Sequence, residues 1–343
     1  MLDTSRRRGL TGAYIASAAG LAITLALAGC TSGGAASTKK ESYYSGIEIA
    51  YVSGPLSDSF FPPMYNGAMQ ASEDLGVKVT WIPIDEADIE RTSVTTMETA
   101  IASKPDAIVV GSFVPSAVDP LIEKAVDQGI PVYVSQSGQS SWESTGAFGF
   151  IGQDGVASGT QAGAKLAANG AKAVLCVINV PGNPYLAQLC DGVAEGVQSE
   201  GGTSEVLNIP TADSTDPTKV TADIGAYLKT HPNIDGVFAL NAAVGTYAIS
   251  AAESAAPDRD IHIATLALSA VGLDDVKSGK LDFVVSEQPY LDGYLGVLFA
   301  VQYVKFGLAP IGQVNTGPLF IDKTNIESIL KIAADYPGVL GSS

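Results

Sequence analysis

From Gly46 onward, apolar and polar residues alternate in a way that predicts short strands separated by amphipathic helices. The stretches "IEIAYVS" (47–53) and "VKVTWIPI" (77–84) have the length and the β-branched content of strands. Between them, the apolar residues of 64–75 recur at helical spacing and so lie on one face of a helix. Strands that alternate with helices predict a parallel sheet covered on both faces, which is an α/β fold.

The second half of the chain repeats this scheme, as in the buried-strand pattern "AVLCVINV" (173–180). The chain also shows a weak internal similarity between "KPDAIVVGS" (104–112) and "NIDGVFALN" (233–241). Each is a predicted strand that follows a helix and ends in a polar residue, Ser112 or Asn241. Two similar α/β halves with polar loops at their strand ends predict a ligand in the cleft between them.

The first 45 residues follow a different pattern. A basic patch (6–8) precedes an apolar run (13–28) that is too short for a convincing membrane span. Such an order is typical of an export signal. The Leu-Ala-Gly-Cys ending at Cys30 resembles a bacterial lipobox, in which the cysteine is acylated, so we expect a lipoprotein signal peptide (1–29) and a flexible tether (30–45). The alternative is a secretory signal that happens to contain a cysteine.

The net charge of the chain argues against one class of partner. The 343-residue chain has a net charge of −17, which becomes −19 without residues 1–29 and their three Arg and one Asp. An acidic surface repels phosphate backbones, which argues against nucleic acid as a partner.

Cys176 and Cys190 both point into one predicted core. We favour two buried free thiols, and a disulfide in an oxidising compartment is the alternative.

No catalytic or metal-binding set stands out. His231 and His262 are far apart and lack ligand spacing, and the adjacent Asp274 and Asp275 face differently on a helix. The segment "GTQAGAK" (159–165) has the wrong spacing for a phosphate loop and lies within a helical pattern. The sequence contains no Gly-x-Ser-x-Gly elbow. We therefore expect no enzyme activity, no cofactor and no metal.

Polar and aromatic residues at the predicted strand ends are the candidates for ligand contact. An ordinary cap or turn role is the alternative for each, and it is as probable as ligand contact for Asn183. The candidates are Ser53, Asp58, Phe60, Phe61, Ser112, Gln136, Trp142, Asn183, Asn241 and Glu287.

Several longer stretches follow one another across residues 46–330, among them "PLSDSFFPPMYNGAMQASEDLGVKV", "ASKPDAIVVGSFVPSAVDPLIEKAVDQGIPVYV", "PGNPYLAQLCDGVAEGV" and "HPNIDGVFALNAAVGTYAI". In content and order they resemble the type I periplasmic solute-binding proteins of sugar ABC importers, the ribose- and galactose-binding group. This resemblance implies two Rossmann-like lobes with parallel sheets, joined by a three-segment hinge that crosses near residues 148, 287 and 314.

The implied lobe I comprises 46–147 plus 288–313, and lobe II comprises 148–287 plus 314–343. The family implies a monomer that closes on a small solute and docks on a membrane ABC permease, held outside the cell membrane here by lipidated Cys30. A receptor that signals to a membrane sensor keeps the same fold and is the alternative function.

The chain departs from the sugar-binding pattern at several charged positions. The usual Asp-Arg pair is replaced by Gln136 and Ser137, and the usual helix arginine by Leu189. Similarly, Ala242 stands at an acidic position, and "LAL" (266–268), which contains Ala267, replaces the usual Gly-Phe-Asp.

These replacements bear on the ligand. Burying a hydroxyl without a partner costs on the order of 1–3 kcal/mol, so losing charged partners disfavours a fully hydroxylated sugar. We expect a less hydroxylated solute, such as a deoxy-sugar, a cyclitol derivative or an aromatic compound. Phe60 and Phe61 match the family's ring-stacking pair, Trp142 is a further stacking candidate, and Glu287, which matches the hinge glutamine, leaves room for a cation.

Overall fold

The computed structural model describes residues 42–85, 88–310 and 312–340. The predicted alternation of strands and helices is confirmed in these ranges. The strands are β1 (Glu48–Ser53), β2 (Lys78–Pro83), β3 (Ala107–Val110), β4 (Val132–Ser135), β5 (Phe150–Gly152), β6 (Ala173–Ile178), β7 (Thr203–Asn208), β8 (Gly236–Ala239), β9 (His262–Leu266), β10 (Phe283–Ser286), β11 (Gln313–Asn315) and β12 (Leu319–Asp322). The helices are α1 (Phe61–Leu75), α2 (Ile89–Ala102), α3 (Pro115–Asp127), α4 (Gly155–Asn169), α5 (Pro184–Ser199), α6 (Pro217–Thr230), α7 (Ala242–Ala255), α8 (Ala270–Ser278), α9 (Pro289–Phe306) and α10 (Ile326–Asp335).

The strands form two six-stranded sheets, one in each lobe. The first sheet has the order β2-β1-β3-β4-β5-β11, and all its strand pairs are parallel. The second has the order β7-β6-β8-β9-β10-β12, and its strand pairs are parallel except that β12 runs antiparallel to β10. The central strands β3, β4 and β8 are buried along their whole length, as expected where helices cover both faces of a sheet.

Within the described ranges the chain passes between the lobes three times, and two crossings come later than the sequence predicts. Because β5 pairs with β4 and β11 pairs with β5, both strands belong to lobe I. The first crossing is therefore residues 153–154 rather than near 148, and the third is 316–318 rather than near 314. The middle crossing is residues 287–288, at the predicted place. A three-residue strand at the sheet edge or next to it has the same apolar pattern as a hinge strand, which explains the shift.

In the part of the chain that the structure describes, each lobe contains one pair of helices whose backbones touch through glycines. In lobe I, a Cβ atom on Gly67 of α1 would collide with the Tyr290 carbonyl oxygen of α9. In lobe II, a Cβ atom on Gly159 of α4 would collide with the Leu189 carbonyl oxygen of α5. These close approaches require glycine, because any side chain would separate the helices. They fix α5 and α9, whose first turns lie beside the cleft.

A disulfide joins strand β6 to helix α5. The sulfur atoms of Cys176 and Cys190 are bonded, with their Cα atoms 5.7 Å apart. Our preference for two free thiols was therefore wrong. Both cysteines point into one core as predicted, but the pattern did not show that α5 brings Cys190 directly onto β6.

The end of the predicted tether is packed on lobe I. The Ser42 hydroxyl donates to the Leu75 carbonyl oxygen, and the Tyr43 ring stacks on Phe306 with centroids 5.9 Å apart. The folded part therefore begins at least four residues before Gly46. The signal peptide, Cys30 and most of the tether lie outside the described residues. None of the helices described is long and apolar enough to cross a membrane.

Candidate functional site

A cavity of about 620 Å3 lies between the lobes, at the carboxyl ends of their strands. Gly54 follows β1 and Gln136 follows β4 on the lobe I side, while Asn179 follows β6 and Asn241 lies beyond β8 on the lobe II side. Glu287 lines the cavity from the middle crossing. Strand carboxyl ends are where open parallel sheets bind their ligands, so this cavity is the candidate site.

Seven of the ten predicted residues line this cavity. They are Asp58, Phe60, Phe61, Gln136, Asn183, Asn241 and Glu287.

Three phenylalanines form an aromatic wall in lobe I. Phe60 and Phe61 contact each other edge to face, with ring centroids 5.1 Å apart, and Phe61 meets Phe113 in the same way at 5.9 Å. The Asp58 carboxylate accepts a hydrogen bond of 2.8 Å from the Phe60 N–H and fixes the loop before α1. Because the first two rings touch, a ligand ring has to lie against this wall and cannot enter between them.

Asparagines that cap helices face the cavity from lobe II. The Asn183 side-chain oxygen accepts from the Tyr185 N–H at 3.0 Å, and that of Asn241 accepts from the Ala243 N–H at 2.9 Å. Each cap orients the amide so that the oxygen is occupied and the NH2 group remains available as a donor. Capping, the alternative considered for Asn183, therefore coexists with a place at the cavity.

The backbone is strained at the ends of two equivalent strands. Gln136 after β4 has φ +65° and Ala267 after β9 has φ +66°, both in the left-handed region that disfavours L-residues. Both residues line the cavity. The side-chain oxygen of Gln136 is buried and has no hydrogen-bond partner among the described residues. Strain and an unpartnered polar atom at one place are typical of a functional site.

Glu287 and Tyr185 form a buried hydrogen-bonded pair at the hinge side of the cavity. The Tyr185 hydroxyl donates to Glu287 Oε1 at 2.7 Å. Burial raises the pKa of Glu287 to about 7, the Tyr185 hydrogen bond opposes this, and the charge of Asp58 adds to it. Burial also raises the pKa of Asp292, one turn into α9, well above its usual range. The hinge region therefore holds acidic groups that water does not solvate.

Among the described residues, no lysine or arginine lines the cavity, whereas Asp58 and Glu287 do. No group of three or more His, Cys, Asp or Glu residues that could hold a metal ion occurs in the described ranges. The site is therefore acidic and does not suit an anionic solute, whose charge Asp58 and Glu287 would repel.

Three predicted residues lie away from the cavity. Ser53 is buried with its hydroxyl against the Met64 sulfur, and the Ser112 hydroxyl donates to Asp119 at 2.8 Å. Trp142 packs on the lobe I core in the turns after β4. A strand-end position does not reveal which way a side chain points, because successive residues alternate between faces.

The positions that replace charged family residues are mostly buried and apolar. Leu189 lies in the lobe II core, and the Ser137 hydroxyl is buried without a partner among the described residues. Ala242 and Ala267 of lobe II pack into the hydrophobic cluster of lobe I. The two lobes therefore contact each other beside the cavity.

Sequence reasoning missed several residues that line the cavity. Asn179 follows a buried strand directly and so carried a signal that was available, and Phe113 follows Ser112. Tyr185 had no such signal, because an aromatic residue in a first helical turn resembles a core residue. Polar residues of the loop before α6 also line the cavity, namely Thr211, Ser214 and Thr215.

Comparisons with known proteins agree with this architecture. The family model described as "Periplasmic binding protein domain" matches residues 49–308. The chain is 27% identical to a xylose/arabinose-binding protein of Sulfolobus acidocaldarius, over 85% of this chain and 74% of the relative. It is 26% identical to a ribose import binding protein of Bacillus subtilis, over 76% of this chain and 81% of the relative.

Solved structures show the same fold. A carbohydrate transporter from Acidothermus cellulolyticus 11B, in complex with myo-inositol, is 31% identical with a TM-score of 0.77, covering 85% of this chain and 99% of that one. A solute-binding protein from Agrobacterium radiobacter, in complex with D-arabinose, is 25% identical with a TM-score of 0.72, covering 86% of this chain and 99% of that one. With two α/β lobes, a cavity between them and a family match over most of its length, the chain belongs to the periplasmic binding protein domain family.

Proposed function

We propose that this protein is the substrate-binding component of an ABC importer and holds a small sugar-like or less hydroxylated solute in the cavity between its lobes. The observation that carries this proposal is one cavity of about 620 Å3 lined from both lobes and from the hinge. Because Phe60 and Asn241 belong to different lobes, a solute that contacts both stabilises the closed form.

The character of the cavity supports a ring-shaped polyol with an apolar face. The aromatic wall of lobe I suits the C–H face of a ring, while the NH2 groups of Asn183 and Asn241 suit hydroxyl oxygens on its edge. Similar proteins are described as bound to myo-inositol and to D-arabinose, which are both polyhydroxylated. Since Gln136 and Ser137 replace a charged pair, we favour a cyclitol derivative or a deoxy-sugar over a common aldose.

The relatives also support import over signalling. Two of them are described as ribose import binding proteins. We further propose that the chain is monomeric and catalyses no reaction, so that the bound solute is recovered unchanged. The partner would be a membrane permease with its ATPase.

For location we propose export and lipid anchoring through Cys30. The basic, apolar and small-residue order of residues 1–29 supports this proposal, as does membership of a family that binds solutes outside the cytoplasm. Metabolic labelling with an alkyne fatty acid should mark the wild-type chain and not Cys30→Ser. Equal labelling of both chains would contradict the anchor.

A binding screen tests the solute proposal. Isothermal titration calorimetry of the full chain should find at least one cyclitol or deoxy-sugar that binds more tightly than glucose, galactose and ribose. Phe60→Ala and Phe61→Ala should each weaken that binding about 10-fold or more, in line with the loss of an aromatic stacking contact. Phe306→Ala is the matched control, since this ring is partly exposed and does not line the cavity. Unchanged affinity in both cavity variants would contradict the site.

A further inference from the structure

The described residues that line the cavity include negatively charged side chains but no lysine or arginine. Two carboxylates, Asp58 and Glu287, line it, and none of the lysines or arginines in residues 42–85, 88–310 and 312–340 does. A buried carboxylate without a cationic partner is unfavourable, and proteins normally pair such groups. The positions where the family resemblance places arginines hold Ser137 and Leu189 here, so the chain supplies no internal counter-charge from them.

Of the two carboxylates that line the cavity, Glu287 is the more buried and therefore has the greater need of a partner. It is only 5% exposed, yet it lines the cavity. Its Oε1 accepts from Tyr185, and no other donor to its carboxylate occurs among the described residues. The Thr316 hydroxyl donates to the Glu287 backbone carbonyl at 3.1 Å and so does not serve the side chain. One carboxylate oxygen of a buried residue is thus left for a donor within the cavity.

Other unpartnered atoms at the cavity are also acceptors. Gln136 Oε1 and Asn179 Oδ1 are each buried without a hydrogen-bond partner in the described part of the chain, and both residues line the cavity. A ligand that satisfies these atoms must be rich in N–H or O–H donors. An ammonium group carries three N–H donors and one positive charge. It can therefore donate hydrogen bonds to unpartnered oxygens and also supply the positive charge that the cavity lining lacks.

We propose that the solute is a ring polyol that carries one protonated amine, and that its ammonium group pairs with the Glu287 carboxylate. This inference rests on the proposed function, because it names the chemical class of the solute in that cavity. The aromatic wall contacts the ring, and Asp58 adds a second negative charge that favours a cation. A glutamine at the hinge would satisfy a hydroxyl equally well, so the carboxylate at position 287 distinguishes an amine from a hydroxyl.

Calorimetry with matched ligand pairs tests this proposal. The probes are myo-inositol, glucose, galactose and xylose, each compared with its monoamino-monodeoxy analogues and their N-acetyl derivatives, on the full chain at pH 7.5. At least one amine should bind about 10- to 100-fold more tightly than its neutral parent, as expected for a hydrogen bond between charged groups. N-acetylation, which removes the charge, should abolish that preference.

Two variants connect the preference to one residue. Glu287→Gln should bind the amine and its parent within about 3-fold of each other, while the exposed Glu98→Gln is the matched control and should keep the wild-type preference. An amine preference that survives Glu287→Gln overturns the inference, as do neutral parents that bind wild type as tightly as every amine. The latter result leaves the proposed function intact, whereas no binding by any probe overturns both.

The release of a proton from the protein when the solute binds tests the same pairing without a variant. With a pKa of about 7 in the free protein, Glu287 is largely protonated at pH 6, and a bound ammonium should drive its proton off. The titratable groups around it are Asp58, Asp292 and Tyr185. Calorimetry in buffers of different ionisation enthalpy should show proton release for the amine and almost none for the neutral parent. Equal proton release for both ligands would contradict the pairing.

Discussion

The buried carboxylate at the hinge makes a sharp prediction about stability and pH. Glu287→Gln keeps the size of the side chain and an oxygen that accepts from Tyr185, but it removes the ionisable group. In the folded protein the pKa of Glu287 is about 7, against 4.5 for an unperturbed glutamate. The folded state therefore holds the proton more tightly than the unfolded chain does, and ionisation opposes folding.

The magnitude follows from that difference in pKa. Below about pH 4.5 both states are protonated and Glu287 carries no penalty. As the pH rises to about 7 the unfolded chain loses its proton first, and the free energy of unfolding falls by about 3 kcal/mol. Above pH 7 the loss is complete. Glu287→Gln should therefore be about 3 kcal/mol more stable than wild type at pH 8 and nearly equal to it at pH 4.5.

Urea and thermal unfolding of the ligand-free protein at pH 4.5, 6, 7 and 8 measure this effect. The variant should gain roughly 5–10 °C in melting temperature over wild type at pH 8. Because the charge of Glu287 also raises the pKa of Asp292, the difference between the two proteins measures the ionisation of Glu287 together with its coupling to Asp292. Glu98→Gln at an exposed position should stay near wild type at every pH. A variant that is less stable at pH 8, or equally shifted at pH 4.5 and pH 8, would refute this reasoning.

Two further predictions concern covalent and backbone constraints. Replacing Cys176 and Cys190 together by alanine removes a disulfide that closes a loop of 14 residues. The free energy of unfolding, measured by urea denaturation, should fall by about 3 kcal/mol. A change below about 1 kcal/mol would show that the disulfide contributes little to stability. Ala267→Gly relieves a φ of +66° and should raise the free energy of unfolding by about 0.5–1 kcal/mol, whereas a loss of stability would show that the buried methyl group contributes more than the strain costs.

The fold could be predicted from the sequence because each element carries its own local pattern. Strand β3 is a run of four buried residues, and α1 keeps Met64, Ala68 and Ala71 on one buried face. Such patterns depend on neighbours along the chain and not on distant contacts. The lobe boundaries at β5 and β11 could not be predicted to the residue, because strand pairing decides which sheet a three-residue strand joins.

The candidate site could be predicted only in part, since strand ends identify a region but not the direction of each side chain. Phe60 and Glu287 were predicted and line the cavity, whereas Ser53 was predicted and points into the core. Tyr185 was missed because its role depends on how α5 packs against α4 and on the disulfide to β6. The cap positions Asn183 and Asn241 show that one residue can cap a helix and line the cavity at once.

The central claim is that one solute is held between the two lobes, and a crystal structure of the full chain with the tightest-binding solute from the screen tests it most directly. The account predicts density for that solute in the cavity, in contact with Phe60 of lobe I and Asn241 of lobe II and within hydrogen-bond distance of Glu287. A solute bound to one lobe alone, or outside this cavity, would contradict the account.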